Sequence, residues 1–285
     1  MHFKKRRFHP GFVFFLGLFL FATAADSSAA EKRFEIRLYG GIGYLSLNEM
    51  NDGIRGALND MAFNRSMAEN SVYNDLRMGT DFGADLIYFL TPKVGIAVGG
   101  EYIHGRKSSR HSFSGGATGF ISGEPILTSI PVKAGLFLKL RLSGKLNFTA
   151  GAGVGFYHVS FDNTYAWEIK GVVPQTTERL KFSAWRPGFQ MGIGFEYALG
   201  PRLAVFFEAL GRLARVKGLK DTVQSNQNEA KSATLYSLEQ LVDTTWFPLL
   251  DAMPAAPTGE EFRNVREAAI DLGGGRGLVG FVVRF

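Results

Sequence analysis

The sequence predicts an all-β fold, namely an eight-stranded antiparallel up-and-down transmembrane β-barrel with long external loops that contain short helices. Three observations support this prediction. Apolar and polar residues alternate with a period of two over eight segments, and this period places them on opposite faces of β-strands. The connections between the segments alternate between short and long, as in membrane barrels. No segment after residue 30 reaches the roughly 20 apolar residues of a membrane-spanning helix.

The first thirty residues have the layout of a secretory signal. The cationic stretch Lys4–Arg7 precedes the apolar run Gly11–Phe21, and small residues follow it. The run is too short to span a bilayer, which argues against an uncleaved anchor helix. We therefore expect a signal peptide over 1–30, cleaved after residue 24 or 30, and a barrel domain over 31–285.

Charge and composition exclude several classes of function. Loss of the four signal cations reduces the formal net charge from +6 to +2 or +3, and no basic patch interleaved with aromatic residues remains for nucleic acid. The chain contains no cysteine, and a closed barrel needs no disulfides because its backbone groups are paired around the ring. His104, His111 and His158 are the only histidines left after cleavage, and none has metal-ligand spacing. We expect neither a metal nor another cofactor.

The eight alternating segments share one pattern, with bulky apolar residues on one face and charged residues or glycine on the other. They are Phe34–Tyr44, Met78–Leu90, Val94–His104, Thr128–Leu140, Leu146–Phe156, Phe189–Tyr197, Leu203–Leu213 and Val279–Phe285. A soluble lipocalin-type barrel also alternates, but with its apolar face inside. The glycine-rich polar face here suits a cramped interior. Aromatic residues gather near segment ends, as membrane interfaces require: Tyr44, Tyr88, Tyr102, Trp185 and Tyr197.

The connections indicate which end of the barrel carries the loops. The short ones are 91–93, 143–145 and 200–201, and the long ones are 47–76, 106–126, 160–181 and 216–269. In outer-membrane barrels the short turns and both chain ends lie at the periplasmic rim. Apolar residues at helical spacing in 229–243, in 262–269 and at Ile54, Leu58 and Met61 predict short helices in the external loops.

Charged residues with inward parity are the main candidate site. An eight-stranded barrel is just wide enough to be filled by side chains, and isolated buried charges are very costly. We therefore predict an ion-pair plug, with a gate or narrow polar path as the alternative. Its members are Glu35, Arg37, Asp81, Asp85, Glu101, Lys133, Lys139, Glu196, Glu208, Arg212 and Arg284. Asp85, Glu101, Lys133 and Glu208 are expected at similar mid-barrel depth.

Two further motifs each have a structural and a functional interpretation. His158 and Ser160 share the lipid-facing side of a strand, and this spacing is similar to that of lipid A 3-O-deacylases, with Glu168 as a conceivable third member. An interfacial histidine is the simpler explanation. The glycine-rich stretch Gly273–Gly277 lacks the residues of a phosphate loop, so we expect it to bend or bulge the last strand.

The ending GLVGFVVRF resembles the C-terminal signature of outer-membrane barrels, with apolar residues at every second position up to a terminal aromatic: Val279, Phe281, Val283 and Phe285. With the glycine-rich strands GGIGYLSL and GAGVGFYHV, the chain is similar to the eight-stranded OmpA/OmpW-like superfamily. The resemblance implies a Gram-negative-type outer membrane and recognition of the last strand by the barrel-assembly machinery. Outer-membrane lipid and lipopolysaccharide are the expected partners of what we predict to be a monomer. A structural or surface-interaction role, a narrow porin-like channel for small or hydrophobic solutes, and a lipid-modifying enzyme remain open.

Overall fold

The computed structural model describes residues 34–63, 71–113, 118–225 and 228–285. The predicted signal peptide lies outside these residues. The chain folds almost entirely into strands, with one helix in the described part. In chain order the elements are β1 (Phe34–Tyr44), α1 (Asn48–Phe63), β2 (Ser71–Val72), β3 (Met78–Phe89), β4 (Val94–Arg106), β5 (Ser109–Phe113), β6 (Gly119–Arg141), β7 (Leu146–Ile169), β8 (Val173–Ala198), β9 (Leu203–Leu213), β10 (Arg215–Val216), β11 (Lys220–Ser225), β12 (Asn228–Val242), β13 (Thr245–Met253), β14 (Phe262–Glu267), β15 (Ile270–Asp271) and β16 (Gly274–Arg284).

Eight of these strands form a closed ring of antiparallel pairs. Its order is β1-β3-β4-β6-β7-β8-β9-β16, and β16 pairs back with β1. Three tight turns join strands at one end, and each closes with the same backbone bond. The N–H groups of Leu90, Leu142 and Leu199 donate to the carbonyl four residues later, each at 2.9 Å. We call this end of the ring the turn end and the opposite end the cap end.

The outer surface of the ring is an apolar belt. Along β1 the exposed side chains are every second or fourth residue, including Phe34, Leu38 and Ile42, while Glu35 and Arg37 are buried. Aromatic side chains border the belt at both ends. Phe34 packs on Tyr88 at the turn end, and His158 packs on Trp185 at the cap end. Among the described residues, no helix combines the length and hydropathy needed to cross a membrane.

Three neighbouring strands continue far beyond the ring. β6, β7 and β8 are 23, 24 and 26 residues long, about twice the length of β1. On β7 the apolar residues change face where the strand leaves the belt. Val154 and Phe156 are exposed on the outside of the ring, whereas Tyr157, Val159 and Phe161 are buried inside the extension.

The extensions enclose a second core, which we call the cap. It comprises α1, β2, β5, the outer halves of β6–β8, and the strands β10–β15. β5 and β2 continue the sheet from β6 on one side, and β11, β12 and β13 continue it from β8 on the other. Helix α1 packs against β13 and β6, and the interior is a large apolar cluster that includes Leu58, Leu127, Phe182 and Leu235.

Two glycines allow α1 to lie directly on β13. A Cβ placed on Gly56 would overlap the carbonyl oxygen of Pro248, and one on Gly53 would overlap the side chain of Leu250. Side chains at these positions would hold the helix away from the strand, because no larger residue fits at such a short separation.

The structure corrects several predictions about the loops. The stretches 229–243 and 262–269 are not helical, since they form β12 and β14. Much of 106–126 and 160–181 is strand rather than loop. The helix expected from Ile54, Leu58 and Met61 is present as α1. The glycine-rich stretch Gly273–Gly277, which we expect to bend or bulge the last strand, does not bulge, because from Gly274 onward it pairs with β9 and from Arg276 with β1 in regular register.

Candidate functional site

Twelve charged side chains point into the ring, six acidic and six basic. They come from every ring strand except β7, and none of these side chains is more than 15% exposed. Successive side chains of a strand point alternately into and out of the ring, so a charged residue that points inward can contact charged residues from other strands across the ring. The network has three levels, which follow one another from the turn end to the cap end.

At the turn end, two carboxylates and two cations form a compact group. The Nζ of Lys139 lies 2.5 Å from an oxygen of Glu35 and 2.8 Å from one of Glu196. Arg284 on β16 pairs with the same two carboxylates, at 3.2 Å to Glu35 and closely with Glu196. Each charge at this level therefore has two partners, which offsets the cost of burying it.

The middle level holds an arginine between aromatic rings. Nη1 of Arg37 lies 2.8 Å from Glu208, and its guanidinium stands 3.6 Å from the ring centroid of Phe206. Beside it, Lys133 lies 3.1 Å from Asp85. Its Nζ also donates to the hydroxyl of Tyr39 at 2.6 Å. Cation–π contacts and ion pairs act together here in a place without bulk water.

At the cap end, Arg276 is bonded to two carboxylates. Its Nη1 donates to Asp81 at 3.1 Å and closely to Glu101. Arg212 lies 3.3 Å from Glu101 and donates through Nε to the carbonyl of Leu272 at 2.8 Å. Lys133 is 3.5 Å from Glu101, so this level is continuous with the middle one.

A small cavity lies beside the middle level. It has a volume of about 50 Å³ and is lined by Arg37, Lys133, Gln190 and small residues of β4, β6, β7 and β8. Nε and Nη2 of Arg37 are buried and have no protein partner. The cavity has polar walls and room for on the order of three or four water molecules.

The structure brings together all eleven charged residues selected from the sequence. The mid-barrel group is divided between partners, because Lys133 contacts Asp85 and Glu101 whereas Glu208 contacts Arg37. Sequence reasoning missed Arg276, which lies in the glycine-rich stretch that was assigned to a bend. Inward parity counted back from Val282 through Leu278 reaches Arg276, so the alternation already contained the signal.

In the possible lipid-modifying motif, the residue considered as third member, Glu168, is too far away. His158 and Ser160 lie on the outward face of β7, and His158 packs on Trp185. Glu168 is on the same strand, ten residues beyond His158, which is about 33 Å at the usual rise of a strand. Glu168 is therefore out of reach of both residues. The described ranges also contain no group of three His, Asp or Glu residues that could hold a metal ion.

Comparison with known proteins gives a family match and distant structural similarity. The family model described as an outer membrane protein β-barrel domain matches residues 13–233. The crystal structure of Ail, the attachment invasion locus protein of Yersinia pestis, in complex with the heparin analogue sucrose octasulfate is 11% identical, with 90% of this chain and 98% of that chain covered and a TM-score of 0.33. Another Ail structure is 10% identical, covering 90% and 99%, with a TM-score of 0.31. No curated protein is significantly similar in sequence.

Proposed function

This chain belongs to the outer membrane protein β-barrel domain family, and from that premise we propose that it is an eight-stranded transmembrane barrel with an envelope-stabilising or surface-interaction role and a lumen closed by its charge network. The apolar belt supports this proposal. β1 presents Phe34, Leu38 and Ile42 outward at 45%, 51% and 60% exposure. Such a surface is unfavourable in water and favourable against lipid.

The proposed orientation places the turn end in the periplasm and the cap outside the cell. Outer-membrane barrels have short periplasmic turns and longer extracellular connections. The cap then lies where it can meet partners, on a rigid scaffold. We propose no enzymatic role, because Glu168 is out of reach of His158 and Ser160, and the nearer carboxylate on the same face, Asp162, is paired with Arg179.

The charge network is the observation that carries the proposal of a closed lumen. Six carboxylates are balanced by six cations, and these side chains come from strands on opposite sides of the ring. A conducting ion would have to break pairs that are buried and mutually bonded, which costs several kcal/mol each. The cap core adds an apolar layer beyond the network. Together the network and the apolar layer support the proposal of a closed lumen.

Planar-bilayer conductance tests the closed lumen. We expect the purified full-length protein to insert without discrete current steps. Lys145, in an exposed periplasmic-side turn, provides the control, and Lys145→Met should behave like the wild type. Discrete openings in the wild type whose ion selectivity changes in Glu101→Gln or Lys133→Met, but not in Lys145→Met, would contradict the plug.

A narrow channel for small or hydrophobic solutes is the second candidate. The cavity beside Arg37 favours it, because this cavity shows that the network does not fill the whole lumen at its middle level. The same conductance measurements decide between the two. Selective openings of the kind just described are what the channel predicts.

The last strand is the proposed signal for the barrel-assembly machinery. Val279, Phe281 and Phe285 are exposed on the belt at 63%, 55% and 61%, while β16 closes the ring against β1. A machinery that completes the ring would meet this strand edge before β1 pairs with it. We further propose that the protein is monomeric, since closure of β16 on β1 leaves no free edge where the eight ring strands pair with one another.

A further inference from the structure

The wall on one side of β8 is interrupted at the cap end of the belt. β9 leaves β8 after the pair Leu213–Phe189, and β11 rejoins it at the pair Lys220–Ser183. The intervening segment, 214–219, turns inward. Ala214, Val216 and Leu219 in it are buried, and β10 pairs with β15 instead. Residues 184–188 of β8 therefore have no strand partner on that side.

An arginine emerges through this interruption. Arg186 has the inward parity of the buried Phe182, yet it is exposed. Gly218 makes room for it, because a Cβ on Gly218 would stand 2.7 Å from Nη2 of Arg186, and Gly218 has a φ of +67°. The side chain donates to the carbonyl of Trp185 at 2.8 Å. The guanidinium is thus held at the surface by a hydrogen bond to a neutral group, and the carboxylate of Glu267, 3.8 Å from the same Cβ position on Gly218, lies nearby without an ion pair within 4.0 Å among the described residues.

Three more cations surround Arg186 without an ion pair. Lys217, Lys220 and Lys181 are exposed, and none of them lies within 4.0 Å of a described carboxylate, in contrast to their neighbours. Arg215 pairs with Glu49 at 3.2 Å. Asp162, the cross-strand neighbour of Lys181, forms its ion pair with Arg179 instead. At strand spacings of about 4.8 Å and 3.3 Å per residue, Lys220 lies on the order of 10 Å from both Lys181 and Arg186 along the wall.

The wall directly below the cations is apolar and aromatic. Trp185 is 54% exposed and Leu213 is 71% exposed, and the ring of Trp185 packs on His158 with centroids 4.8 Å apart. Tryptophan and histidine in this position mark the boundary between hydrocarbon and headgroups. A molecule that fits here has an apolar part below this boundary and negative charge immediately above it.

We infer that the unpaired cations Arg186, Lys217, Lys220 and Lys181 bind the phosphate groups of a glycolipid in the outer leaflet, while its acyl chains lie against Trp185 and Leu213. This inference rests on the proposed orientation, with the cap outside. Phosphate accepts several donors at once, and a guanidinium fixed beside three lysines supplies them from different directions. The glycolipid seals the interruption in the wall by covering the free edge of β8.

A pair of charge-matched triple variants tests the site in the full-length protein. We expect Arg186→Gln/Lys217→Gln/Lys220→Gln to bind bisphosphorylated lipid A on the order of 100-fold more weakly, because each cation near a lipid surface contributes about a tenfold factor or somewhat less. The control is Lys107→Gln/Arg110→Gln/Lys170→Gln, which removes three exposed cations of the cap that also lack ion pairs. It should change the affinity less than about threefold. Both are reconstituted in phosphatidylcholine nanodiscs, and lipid A is titrated with native mass spectrometry as the readout.

The outcomes separate this inference from the proposed function. A wild type that fails to enter nanodiscs would contradict the membrane barrel itself. A wild type that inserts but binds bisphosphorylated and dephosphorylated lipid A equally would overturn only the phosphate site. Equal losses in the two triple variants would reduce the effect to net charge and would also overturn it. Displacement of lipid A by an equimolar amount of pyrophosphate would assign the cations to a soluble anion and overturn the lipid assignment. A difference in electrophoretic mobility between unheated and heated samples verifies that each variant is folded.

Discussion

At the scale of single residues, Arg276 has the most deeply buried side chain among the six cations of the charge network. It is 1% exposed and is bonded to both Asp81 and Glu101, which are themselves 2% and 1% exposed. Removing it takes from Asp81 its ion-pair partner and leaves Glu101 with Arg212 and Lys133 alone. The loss of an ion pair is thereby combined with repulsion between the remaining partners.

We expect Arg276→Met to lower the free energy of unfolding by about 3–5 kcal/mol, the usual cost of leaving a buried charge uncompensated. Urea unfolding in lipid vesicles, followed by tryptophan fluorescence, measures it. Glu101→Gln introduced into Arg276→Met should recover part of the loss, because it removes the repulsion that Glu101 then exerts on Asp81. A double variant that is less stable than Arg276→Met would show that Glu101 is held mainly by Lys133 and Arg212.

Arg276 also shows how far the sequence alone could lead. The other eleven charges lie in segments whose alternation is unbroken, and their inward parity was evident. Arg276 stands among four glycines, which have no side chain to show a face. To predict that Arg276 faces inward, the alternation of Val279–Phe285 has to be extended backward across these glycines. The conformational freedom of glycine favoured the prediction of a bend or bulge instead.

At the scale of elements, the contact of α1 with β13 gives a prediction whose sign differs from that of helix propensity. Alanine in place of an exposed helical glycine gains up to about 1 kcal/mol. At Gly56 the added Cβ would meet the Pro248 carbonyl, so we expect Gly56→Ala to destabilise the cap by about 1–3 kcal/mol. Asp52→Ala, at an exposed position of the same helix, is the control and should be neutral or stabilising. Hydrogen exchange of the α1 amides measures both, and slower exchange in Gly56→Ala would disprove the close contact.

Asp75 fastens the same helix to the segment before β3. Its carboxylate accepts hydrogen bonds from Arg55 of α1 at 2.6 Å and from Arg77 at 2.7 Å. Burial by itself raises the pKa of Asp75, but the hydrogen bonds from Arg77 and Arg55 outweigh it, and the pKa lies below its ordinary value of 3.8. The folded protein therefore prefers the charged form more than the unfolded chain does.

A depressed pKa contributes stability that is present above the unfolded value and is lost as the pH falls through the folded one. We expect Asp75→Asn to destabilise the cap at neutral pH and this difference from the wild type to shrink below about pH 4. Urea midpoints of cap fluorescence at several pH values measure it. Asp52→Asn, whose exposed pair with Arg55 is 4.0 Å long, should differ little from the wild type at any pH. A constant effect of Asp75→Asn across the pH range would exclude the ion-paired role.

The strands differ in how well their alternation revealed them. β1 and β9 end where the sequence predicted, because they stay within the belt and keep one parity. β6, β7 and β8 pass from lipid to water, so their apolar face changes from outside to inside near Tyr157 on β7, and a search for one parity ends there. In β12 the register with β13 is unbroken from Thr234 to Val242, so Leu235 and Leu238 lie on opposite faces, and both are buried. Apolar residues on both faces at a spacing of three imitate the pattern of a helix.

At the scale of the whole molecule, two cores with different solvents share three continuous strands. In the proposed membrane arrangement, the ring has charges inside and lipid outside, whereas the cap has apolar residues inside and water outside. β6 contains both environments, since Leu127 is fully buried in the cap core and Leu136, nine positions further on, is 45% exposed on the belt. The same substitution at these two sites therefore compares a closely packed protein core with a surface proposed to contact fluid lipid.

We expect Leu127→Ala to cost about 2–5 kcal/mol, because the rigid cap cannot collapse and a cavity adds to the lost transfer energy. Leu136→Ala should cost at most about 2 kcal/mol, since acyl chains move into the space and only the transfer term for the missing carbons remains. Urea unfolding in vesicles measures both. The two differ further when the bilayer is replaced by detergent: the Leu127→Ala loss should stay the same, and the Leu136→Ala loss should change. A cavity-sized cost at Leu136 that does not depend on the surrounding amphiphile would mean that this face packs against protein, and would contradict the lipid-facing belt.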